Sequence, residues 1–263
     1  MLALKLILVP AFLLAVTFAG RRWGAQVAGW LAGLPVVAGP ILYILALEQG
    51  NGFAATAATA SLAAVFASVS FSVTYAHVGL RLIWVAAVAG GLLAWLFAVS
   101  ILAIMELSVP AAAALALVTL LLAPHVFPAM QIQAARSSGN GDLLLRAIAG
   151  AGLTVAVAFV APIVGGYWSG LLAVFPVLGF VLAVFSHREQ GAHFAASLLR
   201  GMATGLYSFC AFCLSLALAL ERLGVPTSFA IAILASIAVQ TLTKRLLTPP
   251  SNGQPPAAGH DNR

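Results

Sequence analysis

Charged residues are scarce in this chain of 263 residues, where 12 Lys and Arg and 6 Asp and Glu make up only 7% of the total. A soluble globular domain carries about a quarter charged residues, and so few could not cover a chain that is 63% hydrophobic. Nearly all the basic residues lie at the ends of apolar runs, which argues against a nucleic-acid-binding surface. The pattern predicts an all-α integral membrane protein whose partner is the lipid bilayer and not a nucleic acid.

Cysteine is rare and catalytic constellations are missing. Cys210 and Cys213 are three positions apart, which places them on one helix face, and they are predicted to be small apolar packing residues. The sequence lacks a Ser-His-Asp set, a cluster with metal-ligand spacing, a nucleotide-binding loop and a close carboxylate pair. No enzyme activity, cofactor or metal is therefore expected. The absence of Asp and Glu from the centres of the apolar runs argues against a cation exchanger built around a buried carboxylate.

Long apolar runs predict about nine transmembrane helices. A helix needs roughly 20 apolar residues to cross the hydrocarbon, and charged or Gly/Asn-rich breaks separate such runs along the chain. The first run is interpreted as a retained span, because Arg21 and Arg22 follow it directly and no cleavage site is evident. The expected spans are Leu2–Gly20, Ala25–Leu47, Phe53–Ala76, Leu82–Met105, Val109–Pro124, Leu143–Ala161, Gly166–Ser186, Ala192–Leu220 and Pro226–Leu242.

Basic residues fall unequally on the two sides that nine spans would create. One side has nine of them, whereas the other has only Lys5 and Arg222. Since cytoplasmic loops carry the excess of Lys and Arg, this bias predicts that the N-terminus is outside and the C-terminus is in the cytoplasm. The nine residues are Arg21, Arg22, Arg81, Arg136, Arg146, Arg188, Lys244, Arg245 and Arg263.

An internal repeat appears when the sequence is aligned with itself at an offset of 141 residues. Between residues 2 and 55, 18 of 54 positions are identical to their partners, against roughly a tenth expected from composition. Pro35 pairs with Pro176, and EQGNGFAA at 48–55 pairs with EQGAHFAA at 189–196. Because the offset covers five spans, the second copy is predicted to be inverted, an architecture that recurs in transporters. The alternative is a parallel repeat, which would require the two copies to be offset by an even number of spans.

The repeat divides the chain into four expected parts. Two inverted four-helix repeats are joined by a connecting helix, and the Pro- and Gly-rich C-terminal tail is predicted to be disordered in the cytoplasm. The expected boundaries are 1–106 for the N-terminal repeat, 107–140 for the connecting helix and polar loop, 141–247 for the inverted C-terminal repeat, and 248–263 for the tail.

Two stretches carry a resemblance to a known family. They are SGLLAVFPVLGFVLAVFSHREQG at 169–191 and, more weakly, AGWLAGLPVVAGPILYILALEQG at 28–50. Each combines a small-residue patch, a mid-span proline, an apolar half-helix and a charged turn that closes in glycine. They resemble the GlpM/YdgC-like family of small four-helix inner-membrane proteins. The resemblance implies a bacterial inner-membrane protein made of two fused units, and it implies no biochemical activity. Pro40 and the duplication itself depart from the family pattern.

Proline interruptions in spans 2 and 7 mark the candidate site. Pro35 and Pro176 lie in mid-span, and each is expected to free the carbonyl four residues earlier, on Leu31 and Leu172. One interpretation is a pair of simple kinks. The other is a pair of broken helices that expose backbone polar groups to a midplane cavity. On the second interpretation, the candidate substrate-binding residues are Pro35, Gly39, Pro40, Pro176, Gly179 and Arg200.

Charged and amide residues supply the remaining candidates. Arg200 is the one charge well inside a span, where it either snorkels to the interface or marks an anion or lipid-phosphate path. A gate or interface role is assigned to the helix-end residues, with Glu189 expected to pair with Arg188 or His187. These gate or interface candidates are Glu48, Gln49, Glu189 and Gln190.

The sequence leaves two functions open. The first is a small transporter or channel-like permease of the cytoplasmic membrane, with a midplane site for a small solute that is anionic or lipid-like. The second is a non-transporting membrane subunit or scaffold of an envelope complex, in which glycines such as Gly29 and Gly33 serve helix packing. A homo-oligomer is compatible with either function.

Overall fold

The computed structural model describes residues 2–129, 145–146, 148–153, 155–156 and 177–247. These residues are predominantly helical and contain no β-strand, which confirms the all-α expectation. The residues described at 145–146, 148–153 and 155–156 are also helical and come before α8 in the chain. The helices are α1 (Leu2–Trp23), α2 (Ala25–Ala32), α3 (Ala38–Gln49), α4 (Asn51–Ala63), α5 (Val65–Gly79), α6 (Trp84–Met105), α7 (Val109–Val126), α8 (Val177–Gln190), α9 (Ala192–Leu223) and α10 (Val225–Leu247).

Within the described residues, five helical segments are long and apolar enough to cross a membrane. Large apolar side chains such as Leu93, Phe97 and Ile104 are exposed along α6, which suits contact with lipid and not with water. The protein is therefore membrane-embedded, and the nine-span count stays a prediction. Part of span 6, the first half of span 7, the polar loop and the 248–263 tail lie outside the described residues. The five segments are Asn51–Gly79, Trp84–Met105, Val109–Val126, Ala192–Leu223 and Val225–Lys244.

Helix α9 is the central element of the described structure. It packs against α2, α4, α5, α7, α8 and α10, and its buried residues extend from Phe194 to Leu220. Cys213 is fully buried on this helix and Cys210 is half-buried. Both thiols are free, in agreement with the expected packing role.

A close backbone contact joins α2 to α9 through two pairs of glycines. A Cβ atom added to Gly29 would lie 2.7 Å from the backbone nitrogen of Met202, and one added to Gly33 would lie 2.6 Å from the Cα atom of Gly205. Gly201 is equally close to the backbone of α2. Each helix thus contributes a G-x-x-x-G pattern, which lets the backbones approach closely. Gly29 and Gly33 therefore have the packing role that the second hypothesis gives them.

Hydroxyl groups inside α4 and α5 are satisfied by their own helices. Thr59 donates to the Ala55 carbonyl at 2.9 Å, and Ser72 donates to the Ser68 carbonyl at 2.8 Å. Such bonds meet the requirement that every polar group in the hydrocarbon finds a partner. These residues therefore need no ligand to explain their presence in a span.

Candidate functional site

The second predicted span is broken at the proline-rich stretch that the sequence singles out. Helix α2 ends at Ala32 and α3 begins at Ala38. Pro35 cannot donate to the Leu31 carbonyl, but the Leu34 N–H does so at 3.1 Å. The expectation that Leu31 would carry the freed carbonyl is therefore wrong. Because Leu34 turns its N–H to Leu31, the carbonyl that loses its α-helical donor is that of Trp30.

Two polar residues of α10 hold the broken helix. The Gln240 side-chain amide donates to the Trp30 carbonyl at 3.2 Å, and the Trp30 indole N–H donates to Thr243 Oγ1 at 3.1 Å. Gln240 and Thr243 are both buried. Sequence reasoning missed them, although an amide inside an apolar span was the available signal, since buried polar groups require partners.

A cleft of about 670 Å³ opens beside the break, between α3 and α10, with Phe212 of α9 in its wall. Its lining is almost entirely apolar, and only Tyr43 and Ser236 contribute side-chain hydroxyls. Val36 and Ile237 are exposed at its rim. The cleft therefore opens on the outer face of the helix bundle. Its lining residues are Leu34, Pro35, Val36, Gly39, Pro40, Tyr43, Ile44, Phe212, Phe229, Ile233, Ser236 and Ile237.

Aromatic rings form part of the cleft wall, and Gly39 leaves the space in front of one of these rings open. Phe229 stacks edge-to-face on Tyr43 at 5.0 Å and on Phe212 at 6.0 Å between ring centroids. A Cβ atom on Gly39 would already touch the Phe212 ring, at 3.4 Å. A larger side chain at Gly39 would therefore fill the space in front of Phe212.

The alignment of the sequence with itself pairs the Gly39–Phe212 contact with two phenylalanines. Phe180 aligns with Gly39, and Phe71 aligns with Phe212. The Phe180 and Phe71 rings lie 6.4 Å apart, so the contact between Gly39 and Phe212 has a counterpart in which a phenylalanine replaces the glycine. Helix α8 therefore carries a phenylalanine ring at the position where the aligned residue of α3 has no side chain.

The structure brings together only some of the predicted substrate-binding residues. Pro35, Gly39 and Pro40 line the cleft. Pro176 lies outside the described residues, and Gly179 is buried on α8. Arg200 is half-buried on α9, twelve residues before Phe212, which is about 18 Å along the helix. Arg200 therefore does not contribute to the cleft.

The two EQG turns have the same backbone geometry and lie at opposite ends of α9. Gly50 and Gly191 both adopt φ near +90°, a conformation that favours glycine. Gly191 directly precedes α9, whereas Asn51 donates to the Leu220 carbonyl near the far end of that helix at 3.0 Å. At about 1.5 Å per residue, the two turns are separated by about 44 Å along α9.

Glu189 pairs with a different cation from those expected. Its Oε2 lies 2.8 Å from Arg146 Nη2, in an ion pair whose arginine is buried. Arg188 lies instead over the Trp84 ring at 5.4 Å. His187 lies 3.3 Å from the Tyr75 hydroxyl, and burial lowers the pKa of its imidazole. The expected pairing of Glu189 with its chain neighbours is therefore wrong, because side chains that follow one another on a helix point in different directions.

The other helix-end candidates differ in exposure. Glu48 and Gln49 are exposed at the end of α3, while Gln190 is buried at the end of α8. No group of three His, Cys, Asp or Glu residues in the described part of the chain could hold a metal ion.

Comparison with known proteins yields no relative. No family model, no curated protein and no solved structure matches this chain. The resemblance to the GlpM/YdgC-like family stays a prediction, and the arguments about function depend on the geometry of the cleft and of the helix ends.

Proposed function

We propose that this protein is a small permease of the bacterial cytoplasmic membrane, with its site in the cleft beside Pro35 and a lipid-like solute as its substrate. The cleft carries this proposal, because it lies beside a broken helix and has an apolar wall. Its volume is about 670 Å³, and it is open at the exposed Val36. A hydrophilic solute would lose its hydration there without enough replacement hydrogen bonds. An acyl chain gains about 0.8 kcal/mol for each methylene group that it buries.

An inverted repeat is part of the proposal. Its support is the separation of the EQG turns at the two ends of α9 and the reciprocal contact of Phe180 with Phe71. The exchange of Gly39 for Phe180 makes the two halves unequal in sequence at the position that borders the cleft.

The proposal also includes the orientation of the protein in the membrane, which is inferred from its basic residues. Arg146 and Arg188 lie at the end of α8 that precedes α9, and we assign that end to the cytoplasm because of the positive-inside bias. Single cysteines in a variant that lacks Cys210 and Cys213 test this assignment. Gln49 and Arg188 are both exposed, whereas the buried Gln190 would be a poor site for labelling. An impermeant maleimide should label Q49C and not R188C in intact cells, and the reverse pattern would overturn the orientation.

Lipid occupancy of the cleft is tested by photocrosslinking. The full chain is placed in nanodiscs with a phospholipid that carries a diazirine in its acyl chain, and the adducts are mapped by mass spectrometry. We expect adducts to concentrate on residues 34–44 and on the facing part of α10, and to fall several-fold in V36W, whose indole would fill the rim. L96W on α6 is the matched control, because Leu96 has a similar exposure outside the cleft. An even distribution of adducts over all lipid-facing helices would refute a binding site here.

A structural role is the second candidate, and the α2–α9 glycine contact favours it. The direct backbone contact of Gly33 with Gly205 leaves no space between these helices in the first half of the broken span. Reconstituted vesicles that contain a fluorescent phospholipid separate the two functions. Movement of that lipid between leaflets that depends on the protein, and that V36W slows, supports the permease. Crosslinking in the cleft without such movement supports a subunit that only holds lipid.

A further inference from the structure

A second and much smaller cavity lies near the start of α9. Its volume of about 20 Å³ lies between α1, α2, α8, α9 and residue 146, and a cavity of this size holds roughly one particle as large as a water molecule. The wall includes an unusual number of polar side chains for a site inside a membrane protein. They are Thr17, Arg21, Arg146, Ser186 and Gln190.

Ser186 is the residue that points to a ligand. It is only 1% exposed, and its hydroxyl has no hydrogen-bond partner within the described part of the chain. Other buried serines, such as Ser208 and Ser228, donate to a carbonyl of the preceding helical turn. Leaving a buried hydroxyl without a partner is costly, and Ser186 lines the small cavity. A particle in that cavity would supply the missing partner.

The chemistry of the wall favours a negative particle. Guanidinium groups donate only, and the wall contains two arginines and no carboxylate, with Arg146 also paired to Glu189 outside the wall. The Thr17 hydroxyl already donates to the Leu13 carbonyl at 2.7 Å. Phe194, in the first turn of the 32-residue helix α9, also lines the cavity. The N-terminus of a helix has a partial positive charge, which stabilises a nearby anion.

We propose that this cavity binds a single anion of halide size, with chloride as the ion used to test it. The Ser186 hydroxyl donates to the ion, and the guanidinium groups of Arg21 and Arg146 lie in the same wall. Halides are single atoms and suit this small cavity better than the larger phosphate and sulfate. The site lies where α1, α2, α8 and α9 meet, so the ion stabilises the contact among four helices. It does not depend on the lipid-like substrate proposed for the cleft.

Thermal unfolding of the purified full chain in detergent tests the proposal. The chain is compared in sodium chloride, sodium bromide and sodium gluconate at equal ionic strength. We expect the Tm to rise with chloride or bromide until the site saturates, as for any ligand that binds the folded state, and to stay constant in gluconate. S186A should weaken the apparent chloride affinity by about tenfold, which corresponds to the loss of one hydrogen bond.

S208A is the matched control, because it also removes a buried serine hydroxyl but lies outside the cavity. It should keep the chloride response of the unaltered chain. Equal Tm values in chloride and gluconate, or an unchanged response in S186A, would overturn the proposal.

Bromide soaking of crystals of the unaltered chain gives a test that needs no variant. We expect an anomalous bromide peak in contact with Ser186 Oγ. If S186A does not fold, this measurement decides alone. Density for a water molecule that bromide does not replace would show that the cavity holds water and would overturn the anion site.

Discussion

Replacement of Gly29 by alanine tests whether the α2–α9 contact holds the two halves of the chain together. A Cβ atom at this position would lie 2.7 Å from the Met202 nitrogen, whereas an ordinary contact begins at 3.4 Å. The helices would have to separate by at least about 0.7 Å, the difference between these two distances. The clash with the Leu198 carbonyl is closer still, and both opposing groups are backbone atoms that cannot rotate away.

The expected loss of stability follows from two opposing effects. Overpacking of a well-packed contact costs about 1–3 kcal/mol, and rigid backbone neighbours place Gly29→Ala at the upper end of that range. Alanine recovers up to about 1 kcal/mol, because it has a higher helix propensity than glycine. The free energy of unfolding should therefore fall by about 2 kcal/mol.

Unfolding of the purified chain by SDS in mixed micelles, followed by circular dichroism, measures this change. Gly52→Ala is the matched control, because Gly52 is an exposed helical glycine whose added Cβ atom would lie 3.8 Å from its nearest neighbour, Glu221 Oε1. It should leave stability unchanged or raise it slightly. If Gly29→Ala were as stable as Gly52→Ala, the reasoning from backbone contact would be refuted.

Three further variants test the polar contacts around the core by the same SDS unfolding assay. Gln240→Leu should lower stability by about 1–3 kcal/mol, because it leaves the Trp30 carbonyl buried without a donor, whereas the exposed Thr241→Ala should have little effect. Glu189→Gln should be strongly destabilising, because removal of one partner of a buried ion pair costs up to about 3–5 kcal/mol. The partial exposure of Glu189 lowers that figure, and the double variant with Arg146→Gln should cost less than the two single variants together. Burial lowers the folded-state pKa of His187, so the unfolded state binds a proton on this residue more readily than the folded state does. The contribution of His187 to stability is therefore present above about pH 6.5 and is lost as the pH falls below that value. His187→Gln should make the pH dependence of unfolding shallower, and an unchanged slope would contradict this assignment.

The sequence by itself determined the all-α membrane class, the position of the helices in the described part of the chain and the interruption of the second span, for which a kink and a break were both open. These features are local, because apolar length predicts a span and a proline removes a donor wherever it lies in a helix. The turns at Gly50 and Gly191 could also be recognised in advance, since the EQG motif ends a helix in both copies. The predicted span Ala192–Leu220 accordingly coincides with α9, which ends only at Leu223.

The tertiary structure alone decided which of these features form a site. Phe212 and Phe229 reach the cleft from helices more than 160 positions away from Pro35, and no periodicity along the chain links such distant residues. Gln240 became a partner of the Trp30 carbonyl only because α10 packs beside the break. The repeat made Pro35 and Pro176 look equivalent, yet Gly39 leaves space beside Phe212 whereas the aligned Phe180 packs against Phe71, because the volume of a single side chain decides how much space remains beside a ring.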